Sequence, residues 1–279
     1  MRIPTLVGLK TERERFAGAV RTWSCEGMMG DGKALQLGTS HELGQNFARA
    51  FDIQYSDDQG ARSYVYQTSW GASTRLIGGL IMVHGDDFGL RLPPALAPSQ
   101  VVVMVVRADE TTDRASSAIA DQLRSAGLRV RVDDQTGTSF GRRAIDWERK
   151  GVPVRVEIGP RDLAQDQAVV VSRYDRSKRS VGLSSLTAEV LSTLERTAEA
   201  LHAEALAFRA SRTTRVDTLD EAAEAAAEGF AVLPWSVVGE SGEDVLGEAG
   251  ITVRCLQRAD GSLPGVSEDS LVAVVGKSY

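Results

Sequence analysis

Cysteine is nearly absent: only Cys25 and Cys255 occur. A disulfide framework is thereby excluded, and two thiols alone cannot close a four-thiolate zinc site. No apolar run reaches the roughly 18 residues that a membrane-spanning helix needs, so no membrane partner is expected. The opening Met1-Arg2-Ile3-Pro4-Thr5-Leu6-Val7 lacks the long apolar stretch and small-residue cleavage site of a signal peptide. A cytoplasmic location is the resulting expectation. Positive charge is in deficit, 32 Lys and Arg standing against 38 Asp and Glu for a net −6. That balance excludes a wholly basic nucleic-acid coat but not a local basic patch, because phosphate contacts depend on where the cations sit. Internal repeats are also missing, and the Ala/Glu stretch of 219–228 reads as a solvated helix.

What remains is the balance of a soluble globular protein, 42% apolar and 25% charged. Its 279 residues suggest about two domains. Lys33 to His41 reads as a short strand, and Leu43, Phe47 and Phe51 share one helical face after it. Residues 62–70 alternate as a strand and stop at Gly71. Ser73 then opens a helix with Leu76, Ile77, Leu80 and Ile81 at helical spacing. Pro93, Pro94 and Pro98 mark a boundary. Beyond it the β-branched run Val101–Val106 predicts a strand buried on both faces. A helix over 112–126 follows, capped by Gly127, and then a strand over 128–132, a helix around 141–150 and strands at 154–158 and 169–171. Such β-α-β units imply a mainly parallel, helix-covered sheet. Residues 185–212 and 218–228 are strongly helix-forming, and 230–279 holds short strands between Gly and Asp turns.

Two constellations could carry chemistry. Gln36, Thr39, Ser40 and His41 cluster where a strand meets a helix. The run Ser69-Trp70-Gly71-Ala72-Ser73-Thr74-Arg75 occupies a strand-to-helix junction. Gly71 lets backbone approach a ligand with no Cβ in the way. The helix N-terminus near Ser73 offers free N–H groups and a positive dipole end, suited to phosphate. Arg75 in the first turn opposes that dipole, which wants a reason. An anionic ligand gripped by its guanidinium fork is one. Taken singly each residue has a plainer explanation: a surface Arg, a hydrogen-bonded structural His, a core Trp.

Together and in order they are specific. Asp31-Gly32-Lys33-Ala34-Leu35-Gln36, Gly38-Thr39-Ser40-His41, Leu43-Gly44-Gln45-Asn46-Phe47 and Ser69-Trp70-Gly71 with Thr74-Arg75 closely resemble prolyl-tRNA synthetases of the archaeal and eukaryotic type, members of the class II aminoacyl-tRNA synthetases. So do Thr11 to Ala19, Leu92-Pro93-Pro94 and Lys150 to Asp162. The resemblance covers essentially the whole chain and weakens after about residue 185. It implies a multidomain α/β and α+β chain: the rear part of an antiparallel catalytic domain over 1–97, an α/β anticodon-binding domain over 98–185, and a small α+β C-terminal domain over 186–279.

The resemblance also implies roles. Gln36, Thr39, Ser73, Thr74 and Arg75 would bind ATP, with Arg75, from the third class II signature motif, on the γ-phosphate as the catalytic cation. His41, Glu26, Ser69, Trp70 and Gly71 would line the proline site. Arg142, Arg143, Trp147, Glu148 and Lys150 would meet the tRNA anticodon, cations on phosphates and Glu148 on a base edge. The family's usual aromatic is replaced by Ala144. ATP, Mg²⁺, L-proline and proline tRNA are the implied ligands, and a homodimer is implied for the complete enzyme. Motif 1 and motif 2 are not found before Thr11, so the chain is expected to be inactive alone. Cys255 matches the first of four zinc-binding Cys of the family's last domain, but no partners follow, so no zinc is expected. The alternatives are a non-catalytic tRNA-binding module and one half of a split synthetase.

Overall fold

The computed structural model describes residues 1–265, 268 and 270–279. It divides into two compact units: Pro4–Val83 with Leu206–Tyr279, called here the sheet unit, and Met1–Ile3 with His84–Ala205, the middle unit.

In the sheet unit, β1 (Thr5–Leu9), β2 (Arg21–Met28) and β3 (Ala34–Gly44) form an antiparallel meander. The hairpin between β2 and β3 turns at Gly32, whose φ of +83° places its open side 2.2 Å, for an imagined Cβ, from the Glu228 carbonyl oxygen. No residue with a side chain fits there. The expected helix after β3 shrinks to one turn, α1 (Asn46–Ala50), because Leu43 still belongs to the strand. The pair β4 (Gln54–Ser56) and β5 (Arg62–Tyr64) forms a separate ribbon. Strand β6 (Gln67–Gly71) closes the edge of the main sheet against β3. Helix α2 (Arg75–His84) begins two residues later than Ser73, and its Gly79 packs on Leu35 and Leu37 of β3.

The middle unit opens with β7 (Val101–Val105), all five residues of which are fully buried. Each such Val stabilises the unit by about 1.5–3 kcal/mol relative to exposure. Helix α3 (Glu110–Ser125) starts at a capping box, Asp109 accepting from the Thr112 amide while the Thr112 side chain accepts from the Asp109 amide. Then come β8 (Val130–Asp133), α4 (Phe140–Arg149), β9 (Val154–Ile158), α5 (Pro160–Leu163), β10 (Gln167–Ser172), β11 (Lys178–Gly182) and α6 (Leu186–Ser211). The sheet order is β11-β10-β9-β7-β8. Only β7 with β8 and β7 with β9 run parallel, and β10 and β11 add antiparallel, so the sheet is mixed rather than mainly parallel. Ile119, Leu123, Val156, Leu186 and Val190 fill the core between helices and sheet.

The tail differs most from the reading by segments. Strands β12 (Thr213–Arg215), β13 (Phe230–Pro234), β14 (Ile251–Gln257) and β15 (Val272–Lys277) join the first sheet, giving the order β12-β13-β15-β14-β1-β2-β3-β6. Where the sequence led to three consecutive domains, the chain's two ends build one sheet through the pairing of β1 with β14. Helices α7 (Leu219–Ala225) and α8 (Trp235–Glu248) cover it, burying Ala222, Leu246, Leu233 and Val253. Helix α8 had no counterpart in the sequence reading, because Gly239 at φ +48° breaks its helical run.

Candidate functional site: a phosphate-suited cleft and a basic cavity

Gln36, Leu37, Gly38 and Thr39 of β3 face Gly71, Ala72, Ser73 and Arg75 across a cleft of about 260 Å³. Two features of the backbone make this meeting possible. Thr39 lies directly opposite Gly71, so the strand-to-helix junction sits beside the Thr39 hydroxyl. The second is a bulge at Leu37: Cys25 pairs with Gly38 but Glu26 with Gln36. Strict alternation would place residues 36 and 39 on opposite faces of the strand, and the extra residue restores them to one.

Arg75 is the first residue of α2 and exposed, with Nη1 3.5 Å from the Gln36 carbonyl oxygen and its amide donating to Ser73 Oγ at 3.4 Å. Its guanidinium therefore keeps most of its donors for a ligand. An imagined Cβ on Gly71 would stand 3.7 Å from Thr39 Oγ1, so that wall of the cleft is smooth and small. The exposed guanidinium, the positive end of the α2 dipole and the glycine converge, as the chemistry of polyphosphate binding requires. Thr74 starts the turn into α2 but is not among the lining residues.

The residues expected around proline separate. His41 lies opposite Ser69, on the face shared by Thr39 and Gly71, with Nδ1 2.9 Å from Thr22 Oγ1 and its ring 4.8 Å from that of Phe16. Trp70 pairs with Ser40 on the other face and is 83% exposed, so it does not wall this side. Glu26 is fully buried and already held. Lys10 Nζ stands 3.2 Å from Oε1, and Arg254 donates to Oε2 from Nε at 3.1 Å and Nη2 at 2.9 Å. The Lys10 contact is an ion pair by distance without hydrogen-bond geometry. Burial pulls the Lys10 ammonium below its usual pKa, Glu26 opposing and Arg254 adding to that pull. Glu26 is thus a buried counter-charge, not an open carboxylate. Its partners could not be read locally, and Arg254 lies 228 positions away at a bulge of β14.

In the middle unit, the residues expected around α4 also divide. Arg142 and Lys150 are exposed, the latter 4.5 Å over the Trp147 ring. Arg143 is buried and spent on structure, donating to Asp133 Oδ1 at 2.8 Å, Val105 O at 2.7 Å and Thr138 O at 3.2 Å. Trp147 Nε1 donates to Asp133 Oδ2 at 2.6 Å. Burial pushes the Asp133 carboxyl up, yet the Trp147 and Arg143 hydrogen bonds outweigh it and leave it below the ordinary value. Trp147 and Glu148 instead line a cavity of about 300 Å³ together with Arg155, Arg173, Arg176 and Lys178. These four cations were missed because they come from β9, from the turn joining β10 to β11 and from the first residue of β11. The alternation of Arg155 with valines was the one signal for them.

Residues 100–193 match the sequence family described as "Anticodon binding domain". The chain is 56% identical over 279 residues to a proline–tRNA ligase of Frankia alni, covering 99% of this chain and 60% of that one. It is 54% identical to proline–tRNA ligase 2 of Streptomyces avermitilis, with 98% and 59% covered. Among solved structures, prolyl-tRNA synthetase of Cryptosporidium parvum complexed with L-proline and AMP superposes with a TM-score of 0.88 at 32% identity, over 100% of this chain and 62% of that one. Its complex with halofuginone and AMPPNP gives 0.87 at 31% identity. The chain therefore spans about 60% of the length of the curated relatives it matches.

Proposed function

We propose that this chain, a relative of the proline–tRNA ligases, carries the rear of their aminoacylation site and their anticodon-reading surface. The observation that carries the proposal is the cleft in which Gln36, Thr39, Gly71, Ser73 and Arg75 meet. In this reading ATP lies along β3, Gln36 and Thr39 meet the nucleotide, and Arg75 neutralises the γ-phosphate. His41, Ser69 and Gly71, on one face, line the path to proline. The reaction is attack of the proline carboxylate on the α-phosphate, giving prolyl-adenylate and pyrophosphate, and then transfer of the prolyl group to the 3′ end of proline tRNA. The chain's share of this is positioning and charge neutralisation.

Among the described residues no group of three or more His, Cys, Asp or Glu is placed to hold a metal ion. In this reading Mg²⁺ would come with the ATP phosphates, whose charge it would neutralise when bound. No described helix is long and apolar enough to cross a membrane.

The test is proline-dependent ATP–pyrophosphate exchange by the chain alone and with the remaining 40% of the relatives' length supplied as a second polypeptide. No exchange is expected alone. Exchange is expected from the mixture, and Arg75→Ala should lower it about 10²–10³-fold. Robust exchange by the isolated chain, or indifference to Arg75→Ala, would refute the reading.

A further inference from the structure

The segment just after α2 is folded into a strap whose use the aminoacylation reading leaves open. Asp86 and Gly89 exchange two backbone hydrogen bonds at 3.0 Å, and Asp86 Oδ1 accepts from the Phe88 amide at 2.9 Å. The turn so made is pressed against the end of α4. Gly89, at φ +126°, leaves an imagined Cβ only 2.5 Å from Arg149 Cα, and the Leu90 amide donates to Arg149 O at 3.0 Å. Two side chains of the basic cavity are then gripped by the strap. Arg173 donates from Nη1 to Asp86 Oδ2 at 3.0 Å and from Nη2 to Asp86 Oδ1 at 2.5 Å. Its Nε donates to the Glu148 carbonyl oxygen at 2.9 Å. The Arg176 guanidinium stacks 3.8 Å over the Phe88 ring.

Arg173 is 5% exposed. Its donors are used on Asp86 and on the backbone of Glu148, so it has little left for an RNA phosphate. A bidentate Arg–carboxylate pair fixes the guanidinium plane in a way that a single contact does not. We propose that Asp86 and Arg173 are positioning residues for anticodon reading: the carboxylate fixes the guanidinium, the guanidinium fixes the Glu148 backbone, and the Glu148 carboxylate is thereby aimed into the cavity at a base edge. This inference rests on the reading of that cavity as the anticodon site. Base discrimination by a carboxylate depends on its being held still before the RNA arrives, whereas phosphate contacts by exposed cations tolerate slack.

The experiment uses the whole chain and two synthetic RNA stem-loops, one with a proline anticodon and one with a single anticodon base changed. The readout is the ratio of their dissociation constants. Asp86→Asn keeps the acceptor for the Phe88 amide but removes the charge, and should lower the ratio about tenfold, equivalent to about 1.4 kcal/mol. The dependence of binding on salt should stay unchanged, because no phosphate contact is lost. Arg173→Lys, which cannot bridge both partners, should do the same, and Asp86→Glu should restore most of the ratio. A preserved ratio in folded Asp86→Asn overturns the proposal. So does unfolding of that variant at 25 °C by circular dichroism, since the pair would then be a determinant of stability alone. Glu148→Gln separates the two layers. If it leaves the ratio unchanged, the anticodon reading of the cavity fails; if it abolishes the ratio while Asp86→Asn does not, only the positioning role fails.

Discussion

Removing the carboxylate of Glu26 should destabilise the sheet unit more than removing either cation that holds it. Glu26 is the one negative charge of a buried trio, with Lys10 and Arg254 at hydrogen-bonding or ion-pair distance and none of the three more than 6% exposed. Glu26→Gln leaves two buried cations facing each other without compensation. Breaking a buried pair in this way costs about 3–5 kcal/mol. Arg254→Met leaves the neutral Lys10–Glu26 pair and forfeits chiefly hydrogen bonds to a charged group, about 1.5–3 kcal/mol. The pH dependence sharpens the test. Burial lowers the folded-state pKa of Lys10 below its ordinary 10.5, so the unfolded chain binds more protons and stability rises with pH between the two values. In Glu26→Gln the supporting carboxylate is gone, the folded pKa falls further and the rise begins at lower pH. Its cost relative to the parent should therefore be largest near neutrality and shrink toward pH 10. In Arg254→Met the repelling guanidinium is gone, Lys10 returns toward its ordinary value and the cost should not shrink. Urea unfolding followed by circular dichroism from pH 6 to 10 measures both. If Arg254→Met costs as much as Glu26→Gln at pH 7, or if the Glu26→Gln cost is flat in pH, the charge-balance reasoning is wrong.

Two further outcomes are expected. Trp147→Phe removes the donor to Asp133, whose folded pKa lies below its ordinary 3.8, a contribution present above that value and lost as pH falls through the folded one. The variant should lose about 1.5–3 kcal/mol at pH 7 and progressively less below pH 3.8, read by urea unfolding; a pH-independent loss would contradict the assignment. Burial pushes the Cys255 thiol up to about 12, so it should resist iodoacetamide at pH 8 in the folded chain and react only on unfolding, as quantified by mass spectrometry.

What the sequence discloses and what it conceals follow from the range of the forces involved. The junction at Gly71 was legible because a strand end, a glycine and a helix start leave their marks within a few residues. Gln36 and Thr39 could be grouped by their nearness in the sequence, but not placed on one face by it. Alternation sets them on opposite faces, and the bulge at Leu37 that reunites them has no local signature. The same holds for Arg254, the unpaired residue of a second bulge between Val253 and Cys255. A strand residue of regular register could not have been assigned to Glu26 from spacing at all. The four cations of the middle-unit cavity were hidden for a related reason: each sits among valines or turn residues whose own pattern dominates the local reading.

The tail shows why this matters for the chemistry and not just for the topology. Periodicity detects elements but not their neighbours in a sheet, so a run of short strands after a long helix reads as a small separate domain. In fact β14 is bound to β1, and β1 to β2, so Arg254 reaches Glu26 across one intervening strand. Pairing between residues more than 200 positions apart carries a large loop-closure cost before any contact rewards it. The sheet that frames the cleft is therefore completed by strands from both ends of the chain, and the buried carboxylate beneath it, paired with Lys10 nearby in the sequence, gains the Arg254 hydrogen bonds only when the tail is in place. The carboxylate that resemblance assigns to the proline site is thus a buried tie between β2 and the tail strand β14. Glu26 ties β2, whose residue it is and which pairs with the β3 strand that displays Gln36, to Arg254 of the tail.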